Sequence, residues 1–225
     1  RDGMTEFPDT EEAILVGFDG KLSLPMGKPV LDMSLPVLKA ADGEKLAEGI
    51  ELHVRGPEHI CIIGKNGAGK TTLLREIARQ LLCRTDIKAG YMPQDYGETV
   101  DQSLTPVEFL TNSSGEKAKL TRAKTYLGSM KYTPEECGHS IEALSGGQKA
   151  KLFILKMVLD GNDVLILDEP TRNFSPLSGP VIRGMLAGYG GCVISVSHDR
   201  KYIEEVGETR YELREDGLRK LVREG

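Results

Sequence analysis

The stretch GKNGAGKTT, Gly64 to Thr72, is the part of the sequence that decides the fold. It follows HICIIG, residues 59–64, a continuous apolar run typical of a strand buried on both faces. It precedes LLREIARQLL, residues 73–82, in which apolar residues recur at helical spacing. Glycine adopts backbone angles that other residues avoid, so the glycines of the stretch allow a tight turn. The sequence therefore predicts a strand, a glycine-rich loop and a helix in direct succession.

The spacing Gly-x-x-x-x-Gly-Lys-Thr, in this strand-to-helix context, is the pattern of a phosphate-binding loop. Its successive N–H groups, together with the positive end of the following helix, attract an anion. Lys70 can reach the β- and γ-phosphates of a nucleotide, and the Thr71 hydroxyl can bind Mg²⁺. We predict nucleotide contacts from Gly64, Lys65, Asn66, Gly67, Ala68, Gly69, Lys70, Thr71 and Thr72.

The run VLILDEP, residues 164–170, brings two acidic residues to the end of an apolar strand. The carboxyl ends of strands are where α/β sheets bind their ligands. We predict that Asp168 holds Mg²⁺ through water and that Glu169 polarises the attacking water as general base. Taken alone, Asp-Glu-Pro would be explained better as a turn at the end of a strand.

A third motif is LSGGQKAKL, residues 144–152. Ser145 is a good helix N-cap, and the following KAKLFILKMVL continues as a helix. Gly146 and Gly147 leave the amides of the first turn uncovered, which predicts a second anion site. A plain helix cap explains Ser145, but it does not explain two glycines followed by Gln148.

Length and element order predict the architecture. The 225 residues, of which 39% are hydrophobic and 28% charged, suit one α/β domain. The order strand–helix–strand, helical insert, strand–helix–strand favours a mainly parallel sheet with an inserted helical subdomain. We divide the single domain, 1–225, approximately into an antiparallel β subdomain with the first core strand at 1–62, a nucleotide-binding core at 63–97 and 158–225, and a helical subdomain at 98–157.

Further elements are predicted near both ends of the chain. AILVGF, Ala13–Phe18, reads as a short strand, and alternation on either side of Met26–Pro29 predicts an antiparallel hairpin. Near the C-terminus, TRYELREDGLRKLV predicts a hairpin that turns at Asp216-Gly217.

Composition excludes some classes of function. The net charge of −5 argues against a nucleic-acid-binding surface in this chain. No apolar run is long enough to cross a bilayer, so we expect no direct membrane insertion, and the charged start shows no signal peptide. The four cysteines lack metal-ligand spacing and suit the reduced thiols of a cytoplasmic protein.

Together these motifs resemble the ATP-binding cassette (ABC) family. Gly64–Thr71 matches its Walker A motif, Leu144–Gln148 its signature motif, and Val164–Glu169 its Walker B motif with the catalytic glutamate. Gln94 in GYMPQDY and His198 in SVSHDR occupy the family's Q-loop and switch-histidine positions. The resemblance implies a P-loop NTPase fold, ATP and Mg²⁺ as ligands, and an Mg²⁺ site that includes Gln94.

The resemblance also implies a mechanism. In this family two cassettes pair head to tail, and ATP lies between the Walker A loop of one and the signature motif of the other. Ser145 and Gly147, within the signature run Ser145–Gln148, would contact the γ-phosphate bound to a second cassette. That cassette is expected either in the same parent chain or in a second copy. A single cassette holds half of each site, so we expect weak hydrolysis by the isolated chain.

The C-terminal part resembles the cytosolic ABC-F branch, on the residues SHDRKYIEEVGETRYELREDGL. ABC-F proteins act on ribosomes, in translation control or antibiotic protection. Because Arg1 is not an initiator, we expect one cassette, the C-terminal one, of a longer protein that contacts the ribosome through other parts. One alternative is the ATPase subunit of a membrane transporter, docked through its helical subdomain. Another is a binding module timed by slow hydrolysis.

Two departures from the family pattern affect details. The family stacks adenine on an aromatic residue upstream of Walker A, whereas this region reads KAADGEKL, with Ala41 near the expected place. Ser175 stands where the family has its D-loop aspartate, and Asn173–Ser178 reads equally well as an ordinary loop.

Overall fold

The structure is a computed structural model that describes residues 24–95, 100–172, 174 and 179–222. The strand predicted at 13–18 and the predicted D-loop position Ser175 lie outside these residues. No helix in the described ranges is long and apolar enough to cross a membrane. The approximate subdomain boundaries stay a prediction.

A six-stranded sheet forms the centre of the molecule, with the strand order β4-β5-β6-β3-β7-β8. The strands are β3 (His59–Ile63), β4 (Ala89–Met92), β5 (Val164–Asp168), β6 (Cys192–Val196), β7 (Thr209–Arg214) and β8 (Gly217–Leu221). All neighbours run parallel except β7 and β8, which form the predicted C-terminal hairpin. Every residue of β5 and β6 is buried, which explains their continuous apolar sequences. The predicted α/β class is confirmed.

The C-terminal hairpin turns one residue earlier than predicted. Gly217 pairs with Arg214, so the turn is formed by Glu215 and Asp216, and Gly217 is the first residue of β8. The φ of Gly217 is 126°, a value that favours glycine.

A separate two-stranded antiparallel sheet consists of β1 (Pro29–Lys39) and β2 (Lys45–Arg55). The chain turns between them at residues 40–44, where the Ala40 N–H donates to the Glu44 carbonyl at 2.8 Å. The first limb of the hairpin expected around Met26–Pro29 lies mostly outside the described residues. Its second limb is β1, and the partner that the described residues show is β2.

The helices are α1 (Lys70–Leu82), α2 (Pro106–Thr111), α3 (Lys117–Ser129), α4 (Pro134–Gly138), α5 (Gly146–Leu159), α6 (Gly179–Ala187) and α7 (Arg200–Glu205), with a 3₁₀ turn at Ile141–Ala143. The stretch from Thr105 to Met157 is mostly helical. Thr105 and Thr133 each form a capping box at a helix start, with proline in the first turn. These local caps made both starts predictable.

The two faces of the sheet bury two different cores. Ile60 and Ile62 of β3 pack into one core with α1 and the β1–β2 sheet, whereas Cys61 packs into the other with the helical subdomain. Leu73, one of the fully buried residues of α1, belongs to the first core. Because α1 is fixed beneath the sheet, the loop that connects β3 to α1 is held at the carboxyl end of β3.

Candidate nucleotide-binding site

The glycine-rich loop needs its glycines at both ends. Gly69 is the N-cap of α1 with a φ of 93°, and a Cβ there would lie 2.8 Å from Cδ1 of Leu46. A Cβ on Gly64 would lie 2.8 Å from the Leu213 carbonyl oxygen of β7. A side chain at Gly69 would collide with Leu46 of β2, and one at Gly64 would collide with the backbone of β7, so the loop could not lie this close to either strand.

Lys70 lies inside the curve of this loop. Its Nζ donates hydrogen bonds to the carbonyl oxygens of Gly64 at 2.9 Å and Lys65 at 2.7 Å. Burial lowers the pKa of Lys70, while the nearby Glu169 and Asp168 carboxylates act in the opposite direction. The loop therefore presents one ammonium group together with its own N–H groups, an arrangement suited to phosphate.

Thr71 and Asp168 meet at the start of α1, although they are 97 residues apart in sequence. The Thr71 hydroxyl donates to Oδ1 of Asp168 at 3.2 Å. Oδ2 of Asp168 is buried and makes no hydrogen bond within the described part of the chain. Burial raises the pKa of Asp168, and the Thr71 hydrogen bond lowers it less. A buried carboxylate oxygen without a donor suits a cation or its bound water.

Glu169 occupies a left-handed backbone conformation, with a φ of 50°. Its N–H donates to the Val196 carbonyl at 2.9 Å, which ties the ends of β5 and β6 together. Burial raises the pKa of Glu169, and the hydrogen bond and charge of His198 partly offset this effect. The carboxylate is thus held beside His198, whose side chain is half exposed.

A cleft of about 940 Å³ connects these groups. Its described lining consists of Ala40, Leu46, Asn66, Gly67, Gly69, Lys70, Thr71, Thr72, Gln94, Glu169, Thr171, Arg172, Val196, His198 and Asp199. Gln94 and His198, predicted from their motifs, therefore share one cleft with the glycine-rich loop. Lys65 and Ala68 instead line an adjoining cleft of about 930 Å³ on the other side of the loop.

Sequence reasoning missed several cleft residues. Ala40 lines the cleft, whereas the neighbouring Ala41, near the place expected for the adenine contact, is exposed and does not. Leu46 of β2 also lines the cleft, and its side chain lies beside the loop at Gly69. Arg172 adds a positive charge near Asp168. A basic residue directly after DEPT was the only sequence signal for Arg172.

The signature residues lie outside this lining. Ser145 is the N-cap of α5, where its hydroxyl accepts from the Gln148 N–H at 3.3 Å. The Gln148 side chain in turn accepts from the Ser145 N–H at 2.8 Å. The predicted cap is confirmed, and Ser145 and Gly146 are exposed at the end of the helix. Among the described residues, 145–148 do not contribute to the cleft around Lys70.

A protein-family model described as ABC transporter matches residues 47–172, more than half of the chain. The chain belongs to the ABC transporter family. Family membership confirms the predicted class, an ATP-binding cassette with the fold of an ATPase domain. The matched range includes the glycine-rich loop, the signature run and the Asp168-Glu169 pair of this ABC cassette.

Named relatives of this ABC cassette include ABC-F proteins. ABC transporter F family member 2 of Arabidopsis thaliana is 29% identical over 79% of this chain and 27% of its own length. Ribosome protection protein VmlR of Bacillus subtilis (strain 168) is 29% identical over 87% of this chain and 36% of its own length. The ABC cassette therefore spans about a third of these relatives.

A solved structure has the same fold. It is the dimeric structure of a post-hydrolysis state of the ATP-binding cassette MJ0796 bound to ADP and Pi. The match has a TM-score of 0.70 and 20% sequence identity, and it covers 87% of this ABC cassette and all of that chain.

Proposed function

We propose that this chain binds Mg²⁺-ATP and hydrolyses it as one of two cassettes paired head to tail. The observation that carries the proposal is the separation of the motifs. The loop, Gln94, Glu169 and His198 line one cleft, whereas the described signature residues 145–148 lie outside it. One cassette then offers half of a site, and a second cassette supplies the missing signature. The fold match to a dimeric cassette supports this arrangement.

The residues of the cleft have different roles in ATP binding and hydrolysis. The Gly64–Thr72 loop and Lys70 bind and orient the phosphates, which is the larger part of catalysis in phosphoryl transfer. Glu169 is the general base, since its buried carboxylate has a raised pKa and accepts a proton more readily than an exposed one. His198 fixes the direction of that carboxylate. Ser145, Gly146, Gly147 and Gln148 would act on the nucleotide of the second cassette.

The residues at the start of α1 fit an Mg²⁺ ion held jointly with phosphate. Oδ2 of Asp168 lacks a donor in the described structure, the Thr71 hydroxyl lies beside it, and Gln94 lines the same cleft. The described residues contain no group of three or more His, Cys, Asp or Glu that could hold a metal. Bound Mg²⁺ would neutralise charge on the β- and γ-phosphates. Asp168 and Thr71 would orient it.

We further propose that the whole protein is an ABC-F factor that acts on the ribosome in the cytoplasm. The support is the similarity to ABC-F relatives, one of which is named a ribosome protection protein. The membrane-transporter role is the competing outcome. Co-sedimentation of the full-length protein with ribosomes, and its absence from membrane fractions, is the expected result. Recovery with a membrane complex alone would contradict the ribosomal role.

The pairing is tested by light scattering after size-exclusion chromatography, with and without Mg²⁺-ATP. Glu169→Gln should trap ATP and give a concentration-dependent closed pair, weak for the isolated chain and strong when two cassettes are tethered. Adding Ser145→Arg should abolish the pair. Adding Thr85→Arg, at an exposed residue outside the cleft, should leave the pair intact. Equal behaviour of the two arginine variants would contradict head-to-tail pairing.

A further inference from the structure

Helix α3 and the residues directly after it form a basic surface on the helical subdomain. All five charged residues from 117 to 131 are basic and exposed, although the chain carries a net charge of −5. They are Lys117, Lys119, Arg122, Lys124 and Lys131. The net charge of −5 is an average over the whole chain and does not show this local concentration of positive charge.

Three of these lysines recur at seven-residue intervals. Two helical turns take about 7.2 residues, so Lys117 and Lys124 lie on the same face of α3. Lys131 follows seven residues later, directly after the C-cap Met130, and is outside the helix with a left-handed φ of 62°. We call Lys117, Lys124 and Lys131 the lysine row; at the helical rise, Lys117 and Lys124 lie about 10 Å apart along α3.

The lysine row differs from its basic neighbours in having no carboxylate partner within the described structure. Lys119 pairs with Glu116, with 2.8 Å between Nζ and Oε2. The guanidinium of Arg122 lies 5.6 Å from the centre of the Tyr126 ring. None of the three lysines of the row makes an ion pair with a described residue. Their positive charges are therefore available to a partner.

The surface between the lysines consists of short side chains and is polar. Thr121, Thr125 and Gly128 are exposed there. The Thr121 hydroxyl donates to the Lys117 carbonyl at 2.9 Å, and the Thr125 hydroxyl to the Thr121 carbonyl at 3.0 Å. Both hydroxyls are bonded to the helix backbone, so they do not project between Lys117 and Lys124.

The carboxylates nearest in sequence are Glu116, which pairs with Lys119, and Glu135 and Glu136 of α4, and they oppose this charge only in part. Glu136 of α4 accepts a hydrogen bond from the Thr133 N–H at 2.8 Å and lies near Lys151. Glu135 is exposed. Salt screens exposed charges beyond about 8–10 Å, so the acidic surface elsewhere on the chain acts weakly on the lysine row.

We infer that the lysine row binds the phosphate backbone of helical RNA. Lysines without partners neutralise phosphates and release their counterions, which drives association without reading sequence. A lipid surface fits less well, because Leu127 and Tyr126 of α3 are buried in the protein and offer no apolar face for insertion. The choice of RNA over DNA rests on the ribosomal function proposed above.

The test measures binding of a fluorescently labelled RNA duplex by anisotropy over a range of KCl concentrations. In the triple variant that combines Lys117→Gln, Lys124→Gln and Lys131→Gln, the slope of the log association constant against log salt concentration should fall in magnitude by about 3, which is one for each lysine. Affinity at low salt should fall about tenfold or more. A matched variant, Lys39→Gln, Lys201→Gln, Lys220→Gln, removes the same charge from exposed positions elsewhere and should keep most of the slope.

Three results would overturn the inference. They are equal losses in the two triple variants, parent-like RNA binding by the row variant, and row-dependent binding to phosphatidylserine vesicles without binding to RNA. ATP binding, measured on both variants, should match the parent and shows that they fold. If the full-length protein does not bind ribosomes while its lysine row still binds the RNA duplex, the ribosomal function is wrong and the inference about the lysine row is supported.

Discussion

The backbone N–H of His198 donates a hydrogen bond of 3.2 Å to Oε2 of Glu169, and the imidazole Nε2 lies 3.4 Å from Oε1. The two residues are 29 apart in sequence but follow the neighbouring strands β5 and β6. Because the pairing of these strands fixes the backbone positions of both residues, the fold itself orients the Glu169 carboxylate toward His198. The position of the Glu169 carboxylate thus depends on β-sheet register as well as on side-chain chemistry.

Replacing Glu169 with glutamine should remove the base and preserve the site. An amide oxygen can still accept the His198 N–H hydrogen bond, and nucleotide binding relies on the Gly64–Thr72 loop. Hydrolysis by paired cassettes should fall by roughly 10²–10⁴, the usual contribution of general acid–base catalysis. Phosphate release and ATP affinity are measured side by side. Full activity in the variant would show that another group is the base.

The left-handed backbone of Glu169 predicts an unusual order of stabilities. A non-glycine residue in this conformation costs about 1–2 kcal/mol, so Glu169→Gly should be more stable than Glu169→Ala by about 1 kcal/mol. Lys149, inside α5, should show the reverse order, since glycine weakens a helix by about 1 kcal/mol relative to alanine. Urea unfolding of the four variants measures both differences. The same order at both positions would contradict strain at Glu169.

Because Asp168 is buried, its replacement by the neutral residue asparagine should raise the thermal stability of the protein, and the increase should depend on pH. Burial raises the pKa of Asp168 in the folded protein, so ionising it opposes folding above the unfolded pKa of about 4 and has no cost below it. Asp168→Asn should therefore melt at a higher temperature than the parent near pH 7.5. The difference should shrink as the pH falls towards about 4.

Thermal unfolding of the nucleotide-free protein at stepped pH values measures this difference. Asp42→Asn, at the exposed turn between β1 and β2, controls for the loss of one negative charge. A gain that stays constant from acid to neutral pH would show that burial of the Asp168 charge is not its cause.

The walls of the cleft predict weak selection between bases. On the β1–β2 side the described lining is Ala40 and Leu46, without an aromatic ring. Neither side chain can form a hydrogen bond that would distinguish adenine from guanine, so ATP and GTP should bind within about tenfold of each other. Competition titrations measure the ratio. Strong rejection of GTP would contradict this reading of the cleft.

A tyrosine at position 40 should restore the missing stack. Ala40→Tyr should tighten binding of both purine nucleotides by about two- to tenfold. Ala41→Tyr, one residue along and outside the cleft, is the matched control and should change affinity little. If the second variant gains and the first does not, the base lies at Ala41, as the sequence alone suggested.

The sequence by itself determined the elements whose causes are local. The spacing of Gly64–Thr72 between an apolar strand and an amphipathic helix predicted the phosphate-binding loop, because glycine angles and side-chain periodicity belong to neighbouring residues. The cap at Ser145 was predictable for the same reason. The motif order along the chain also predicted the family.

Only the tertiary structure decided how distant segments meet. The strand order β4-β5-β6-β3 brings Asp168 to Thr71 and Glu169 to His198, and no local pattern encodes that order. The turn that closes β1 onto β2 places Ala40, and not Ala41, in the lining of the cleft. A side chain's direction depends on pairing register, and register is fixed by the packing of whole strands against the two cores.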